Sequence, residues 1–180
     1  MKSQPALKTA RLTLRPLTLA DAPAVQALCS AYEVALNTLL IPHPYPEGAA
    51  EEWITKQKAD FDDERLVNFA LDDGRLVGAM GLVFKGDGIA EIGYWIGVPF
   101  WNRGYATEAA EAVIRYGFED LGLHKIFACH YTRNPASGRV MQKVGMQYEG
   151  TLRQHVRKWD QYVDMACYGL LRGEWVSSRS

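Results

Sequence analysis

The sequence predicts an α/β domain with a mixed, mostly antiparallel sheet of about seven strands flanked by about four helices. Three observations predict it. Runs of strand character joined by glycine-bearing turns crowd the middle of the chain, which implies neighbouring antiparallel strands. Helical periodicity appears directly after them, over Thr107 to Leu121. A further strand, helix and strand pair follow, so helices are inserted among strands rather than segregated from them. The 180 residues fit one domain, taken as 1–180.

The elements follow in order. Residues Arg11 to Arg15 alternate apolar and polar, as a strand with one buried face does. Asp21 opens a helix through DAPAVQALCSAY, with Pro23 tolerated in its first turn. Pro42, Pro44 and Pro46 forbid helix in IPHPYPEG and leave an extended loop. A second helix runs from Ala49 to about Asp63. Val67 to Leu71 and Arg75 to Phe84 form a hairpin about Asp72–Gly74, and the KGDG turn leads to a third strand, Ile89 to Val98. Ala106, Ala109, Ala110, Val113, Ile114, Phe118 and Leu121 then mark one face of the Thr107–Leu121 helix. A strand at Lys125 to Tyr131, a short helix capped by Asn134-Pro135 and ended by Gly145, and two strands near 147–157 and 162–172 complete the chain.

Composition removes several function classes. Hydrophobic residues make up 48% and charged residues 23%, and the net charge of −1 lacks the basic excess of a nucleic-acid binder. No run of 18 apolar residues predicts a membrane span, and Lys8, Arg11 and Arg15 interrupt any signal-peptide core. Cys29, Cys129 and Cys167 are odd in number and far apart, without a C-x-x-C pair. They predict neither a disulfide framework nor a zinc site, and a reduced cytoplasm as the setting. His124, Cys129 and His130 are close in sequence, but Cys129 and His130 point to opposite faces of a strand, so no metal is expected there.

The most informative segment is AEIGYWIGVPFWNRGYATEAAEA, from Ala90 to Ala112. A strand ends, a short loop carries Trp101, Asn102, Arg103 and Gly104, and a helix begins at once. Gly104 permits close approach of a ligand to the backbone. The first helical N–H groups lack intrahelical partners and carry the positive end of the dipole, which suits a pyrophosphate. Taken alone, such a turn is equally a tight start to a helix. No GK[ST] follows it, and the three-glycine dinucleotide pattern is missing.

Together with RLTLRPLTLADAPAV, IPHPYPEGAAEEWI, WNRGYATEA and NPASGRVMQKVGMQYEG, this segment resembles the GNAT superfamily of N-acetyltransferases, in its ribosomal-protein (RimJ/RimL-type) branch. The resemblance spans nearly the whole chain. It implies a GNAT fold with acetyl-CoA as cosubstrate and no metal. Its Q/R-x-x-G-x-G/A signature falls on Trp101 to Ala106, with Trp101 replacing the usual first residue. It implies that the amides of Asn102, Arg103, Gly104, Tyr105, Ala106 and Thr107 hold the pyrophosphate. It further implies that a bulged strand at Gly93 to Ile96 splays to admit the pantetheine arm and that an N–H near Tyr94, Trp95 or Ile96 is offered to the thioester oxygen. Glu91 takes the place of the family's base, Asn134 contacts the pantetheine, and Ser137 stands near the sulfur as proton donor, with no tyrosine between Asn134 and Gly145 to do so. His43, Tyr45 and His155 are implied on the acceptor side.

Each residue also has a plainer reading. Glu91 pairs with a cation across the sheet, Asn134 caps a helix, and Arg153, Arg157 and Lys158 form a solvated basic face. The resemblance implies a protein N-terminal amine as acceptor. A small amine (polyamine, amino acid or antibiotic) and a non-catalytic acyl-CoA-binding regulator stay open, and a homodimer is compatible with all three. No nucleic-acid or membrane partner is expected.

Overall fold

The alternating segment near residue 11 becomes an inner strand of a wide sheet. In the computed structural model, which describes residues 3–177, the strands are β1 (Leu7–Lys8), β2 (Thr13–Pro16), β3 (Leu66–Asp72), β4 (Leu76–Gly86), β5 (Ile89–Ile96), β6 (Lys125–Tyr131), β7 (Gln147–Lys158) and β8 (Gln161–Leu171). The helices are α1 (Ala22–Cys29), α2 (Tyr32–Leu36), α3 (Ala49–Asp62), α4 (Tyr105–Glu119), α5 (Pro135–Lys143) and α6 (Arg172–Ser177). The sheet order is β1-β2-β3-β4-β5-β6-β8-β7, and only β5 and β6 run parallel. This is the mixed, mostly antiparallel arrangement expected, with one strand more. The addition is β1, two residues paired to β2, too short to show a period.

Side-chain alternation gives the sheet two buried faces. One carries Phe69, Leu71, Met80 and Leu82 against Ile114 and Phe118 of α4. The other carries Ala70, Ala79 and Trp95 against Val25 and Cys29 of α1 and Ile54 of α3. Gly117 lets α4 approach closely, because a Cβ there would stand 2.7 Å from Ile126 Cδ1. Asp87 and Gly88, at φ 51° and 72°, make the tight β4–β5 turn that the KGDG run predicts.

Two expectations are corrected by tertiary pairing. Cys129 and Cys167 form a disulfide: they are register partners on β6 and β8, with Cα atoms 4.1 Å apart. Their 38-residue separation hid a proximity that only strand pairing creates, and Cys29 alone remains free and buried. The basic cluster is not uniformly solvated either. Lys158 is 4% exposed, and its ammonium donates to the carbonyls of Leu39 at 3.2 Å and Ile41 at 2.7 Å. The first helix also divides after Cys29. Asp21 does not cap it but accepts from Arg15 and from the Thr18 N–H, closing the preceding turn.

Candidate active site

The parallel pair β5–β6 positions the site by failing to stay paired. Only Ile89, Ala90 and Glu91 register with β6, opposite Lys125, Ile126 and Phe127. Beyond Glu91 the two strands part. Against β4, however, β5 keeps continuous register through Ile96, so no bulge lies at Gly93–Ile96 and the gap opens by divergence of β6. The ladder fixes which main-chain groups face it. The Gly97 N–H donates to the Val77 carbonyl at 2.9 Å. Two-residue alternation then turns the groups of Trp95 and Gly93 toward β4 and those of Tyr94 and Ile96 toward the gap. The Ile96 carbonyl accepts from the Trp101 indole N–H at 2.7 Å, which gives Trp101 a structural duty.

A cavity of about 830 Å3 runs through this gap, within the range of small-molecule sites. Tyr94, Trp95, Ile96, Asn102, Gly104, Tyr105, Ala106, Thr107, Asn134 and Ser137 all line it, as does Glu91. At one end lies the start of α4. Asn102 at φ 60° and Gly104 at φ 80° turn the loop, and Gly104, the N-cap, has no side chain to occupy the helix's open amides. None of the N–H groups from Asn102 to Thr107 donates to another group among the described residues. A Cβ at Gly104 would lie 3.3 Å from the Arg11 guanidinium. These open donors fit a diphosphate. The loop is braced from outside: Arg11 donates to the Arg103 carbonyl at 2.8 Å and to Glu108 at 2.7 Å, and covers the Tyr105 ring. Although burial opposes it, bonds from the Thr9 hydroxyl and Arg11 hold the Glu108 carboxyl below its ordinary range. Arg103 leans over Phe100 and does not line the cavity.

The helix at the other wall is finished differently. Asn134 Oδ1 accepts from the Ser137 N–H at 3.4 Å, so the cap is satisfied internally and the Ser137 hydroxyl is presented to the cavity. Tyr94 reaches it from β5: the two hydroxyl oxygens are 2.7 Å apart. Burial pushes the Tyr94 phenol up to about 12, against the lowering effect of the Ser137 bond, so it stays protonated at neutral pH. Sequence reasoning looked for a tyrosine only within α5. The phenol comes instead from a residue 43 positions earlier.

Glu91 lines the cavity on the opposite face of β5 from Tyr94, and it ion-pairs with Lys85 Nζ at 2.8 Å. The plainer reading of this residue is therefore present in the structure together with its placement at the site. Lys85 was legible only as part of a turn. The three acceptor-side residues stand apart from the cavity lining. His43 is exposed, edge-on to Tyr32 at 5.2 Å. Tyr45 packs on the α1–α3 cluster, where burial pushes its phenol up to about 12. His155 is exposed on β7.

Residues 11–147 match the family model described as an acetyltransferase (GNAT) domain. YnaD of Bacillus subtilis, an uncharacterized N-acetyltransferase, is 31% identical over 175 residues, covering 94% of this chain and 98% of its own. YdaF of the same organism, whose name marks it provisionally as a ribosomal N-acetyltransferase, is 32% identical over 137 residues, 75% of this chain and 73% of its own. The crystal structure of a Vibrio cholerae spermidine N-acetyltransferase in complex with CoA and spermine shares the fold, with a TM-score of 0.80 at 22% identity over 93% of this chain and 99% of that one. A sheet parted beside an uncapped helix start, matched along most of its length by these relatives, makes this chain a member of the GNAT family: an N-acetyltransferase whose acetyl donor is acetyl-CoA.

Proposed function

We propose that this enzyme acetylates the α-amine of a protein or peptide rather than a polyamine. One observation carries the reading. The cavity lining holds a single carboxylate, Glu91, already paired with Lys85, while Lys85, Arg139 and Lys143 supply three cations. An acceptor with several ammonium groups would find no carboxylate in that lining free to pair a second one. An α-amine brings one. Its free base at pH 7 costs roughly 1.1 kcal/mol against roughly 4.6 for an alkyl ammonium such as lysine, so it makes the smaller demand on a base that is already ion-paired.

Reaction then follows from the residues in place. The N–H groups of Asn102 to Thr107 hold the diphosphate and leave the thioester in the gap between β5 and β6. The Tyr94 N–H, facing that gap, donates to the thioester oxygen as charge develops on it. Glu91 receives the proton of the attacking amine, directly or through water. As the C–S bond breaks, the Ser137 hydroxyl gives its proton to the departing thiolate while taking one from the Tyr94 phenol, which is reprotonated from solvent as Glu91 releases the amine's proton there.

The test is a panel of peptides with free N-termini, polyamines and amino acids, with thiol release as readout. Peptides are expected to turn over and spermidine to react at least about tenfold more slowly. Turnover confined to polyamines overturns the proposal. In the same panel Glu91→Gln should slow acceptors of higher pKa more than those of lower pKa; equal slowing rejects the base role.

A further inference from the structure

We infer that the Cys129–Cys167 disulfide is a thiol–disulfide exchange site for the coenzyme A thiol released in the cleft. The inference rests on the reading that the thiol end of the donor lies between β5 and β6. Cys129 lines the cavity and Cys167 does not. Cys129 and Gly93 each stand two residues past the last β5–β6 pair, Glu91 with Phe127, so they share its face and stand side by side on either edge of the gap. Gly93 presents no side chain, and a Cβ built there would meet nothing within 4 Å, so the space over β5 at that position is open on the face that carries Cys129.

Strand order supplies the trajectory. Cys167 sits on β8, the neighbour of β6 on the side away from β5. The line from its sulfur to that of Cys129 therefore points onward to the gap. Displacement at sulfur needs the incoming thiolate opposite the leaving one, and a thiolate arriving from the gap meets Cys129 on that side. The exchange balances without an outside oxidant. The CoA thiol gives its proton to solvent, its sulfur bonds to Cys129 Sγ, and the Cys129–Cys167 bond breaks. Cys167 leaves as a thiolate and takes up a proton. The product is a Cys129–CoA mixed disulfide that holds the spent donor in the acetyl channel and stops turnover until a thiol releases it.

The disulfide-bonded full-length chain is incubated with CoA, with glutathione, and with CoA plus excess desulfo-CoA, and followed by intact mass and non-reducing peptide mapping. Expected is one CoA per chain, on Cys129, formed about tenfold faster than the glutathione adduct because the attacking thiol is held in place. Desulfo-CoA should suppress it, Cys29 should stay unmodified, and acetylation should fall with occupancy and return with dithiothreitol. No adduct despite calorimetric binding of CoA overturns the exchange and leaves the cofactor site standing, as does an adduct no faster than glutathione's or one on Cys29. If desulfo-CoA binds Gly104→Val and the parent chain equally well, the cofactor placement itself fails, and the exchange with it.

Discussion

Ser137 and Tyr94 join the two walls of the cleft through one 2.7 Å contact between hydroxyls. In the proposed relay they act in series and are not independent. Ser137→Ala should lower kcat about 100-fold and Tyr94→Phe about tenfold, with little change in KM for acetyl-CoA. The double variant should be no slower than Ser137→Ala, because the reserve proton has no route once the serine is gone. Multiplying losses in steady-state kinetics would show that the phenol acts by another path. Ser137 and Asn134 were identifiable from N-P-A-S, since that motif is local. The contact of the Tyr94 hydroxyl with Ser137 was not, because it depends on where β5 and α5 meet. The same holds for Lys85, whose pairing partner is set by the turn between two strands.

At the scale of elements, the contrast between two helix starts divides labour within the site. α5 spends its cap on itself through Asn134, while α4 begins at a glycine with no side chain and leaves its first amides open, which is what the proposed diphosphate site requires. Gly104→Val places a β-branched residue at φ 80° beside Arg11. It should raise KM for acetyl-CoA about 100-fold, roughly 2–3 kcal/mol, while far-ultraviolet circular dichroism stays that of the parent. Unchanged KM would place the diphosphate elsewhere. This element was readable in the sequence because a strand, a glycine turn and a helix are contiguous. The parting of β5 from β6, which the resemblance implied, comes without the bulge that the resemblance tied to it, because β6 diverges while β5 keeps its register on β4.

Across the molecule, the entry to α1 is tied to the sheet by Arg15. It bonds Asp21 at the entry to α1 and Asp72 on β3. The Arg15 bond, aided by the Thr18 N–H and opposed by burial, holds the Asp21 carboxyl below its ordinary value. A folded-state value below the unfolded one, near ~3.9, gives stabilisation that is complete above that pH and fades as pH falls through the folded value. Asp21→Asn should therefore cost about 2 kcal/mol near neutrality, a Tm loss of roughly 6 °C. The gap between variant and parent should shrink in acid. A gap that is constant down to low pH would remove the ionised pair as its cause.

The sequence by itself determined the class of fold and the family, and it put the start of α4 forward as a diphosphate site, because each reading rests on periodicity or on contiguous residues whose geometry is set locally. It could not decide that Cys129 meets Cys167, that Lys158 is buried under the 39–41 carbonyls, or that Tyr94 reaches Ser137. Those contacts join residues dozens of positions apart, and only the order and register of the strands bring them together. The acceptor lies between these cases: its chemistry follows from which charges line one cavity, and that lining is a property of the folded chain.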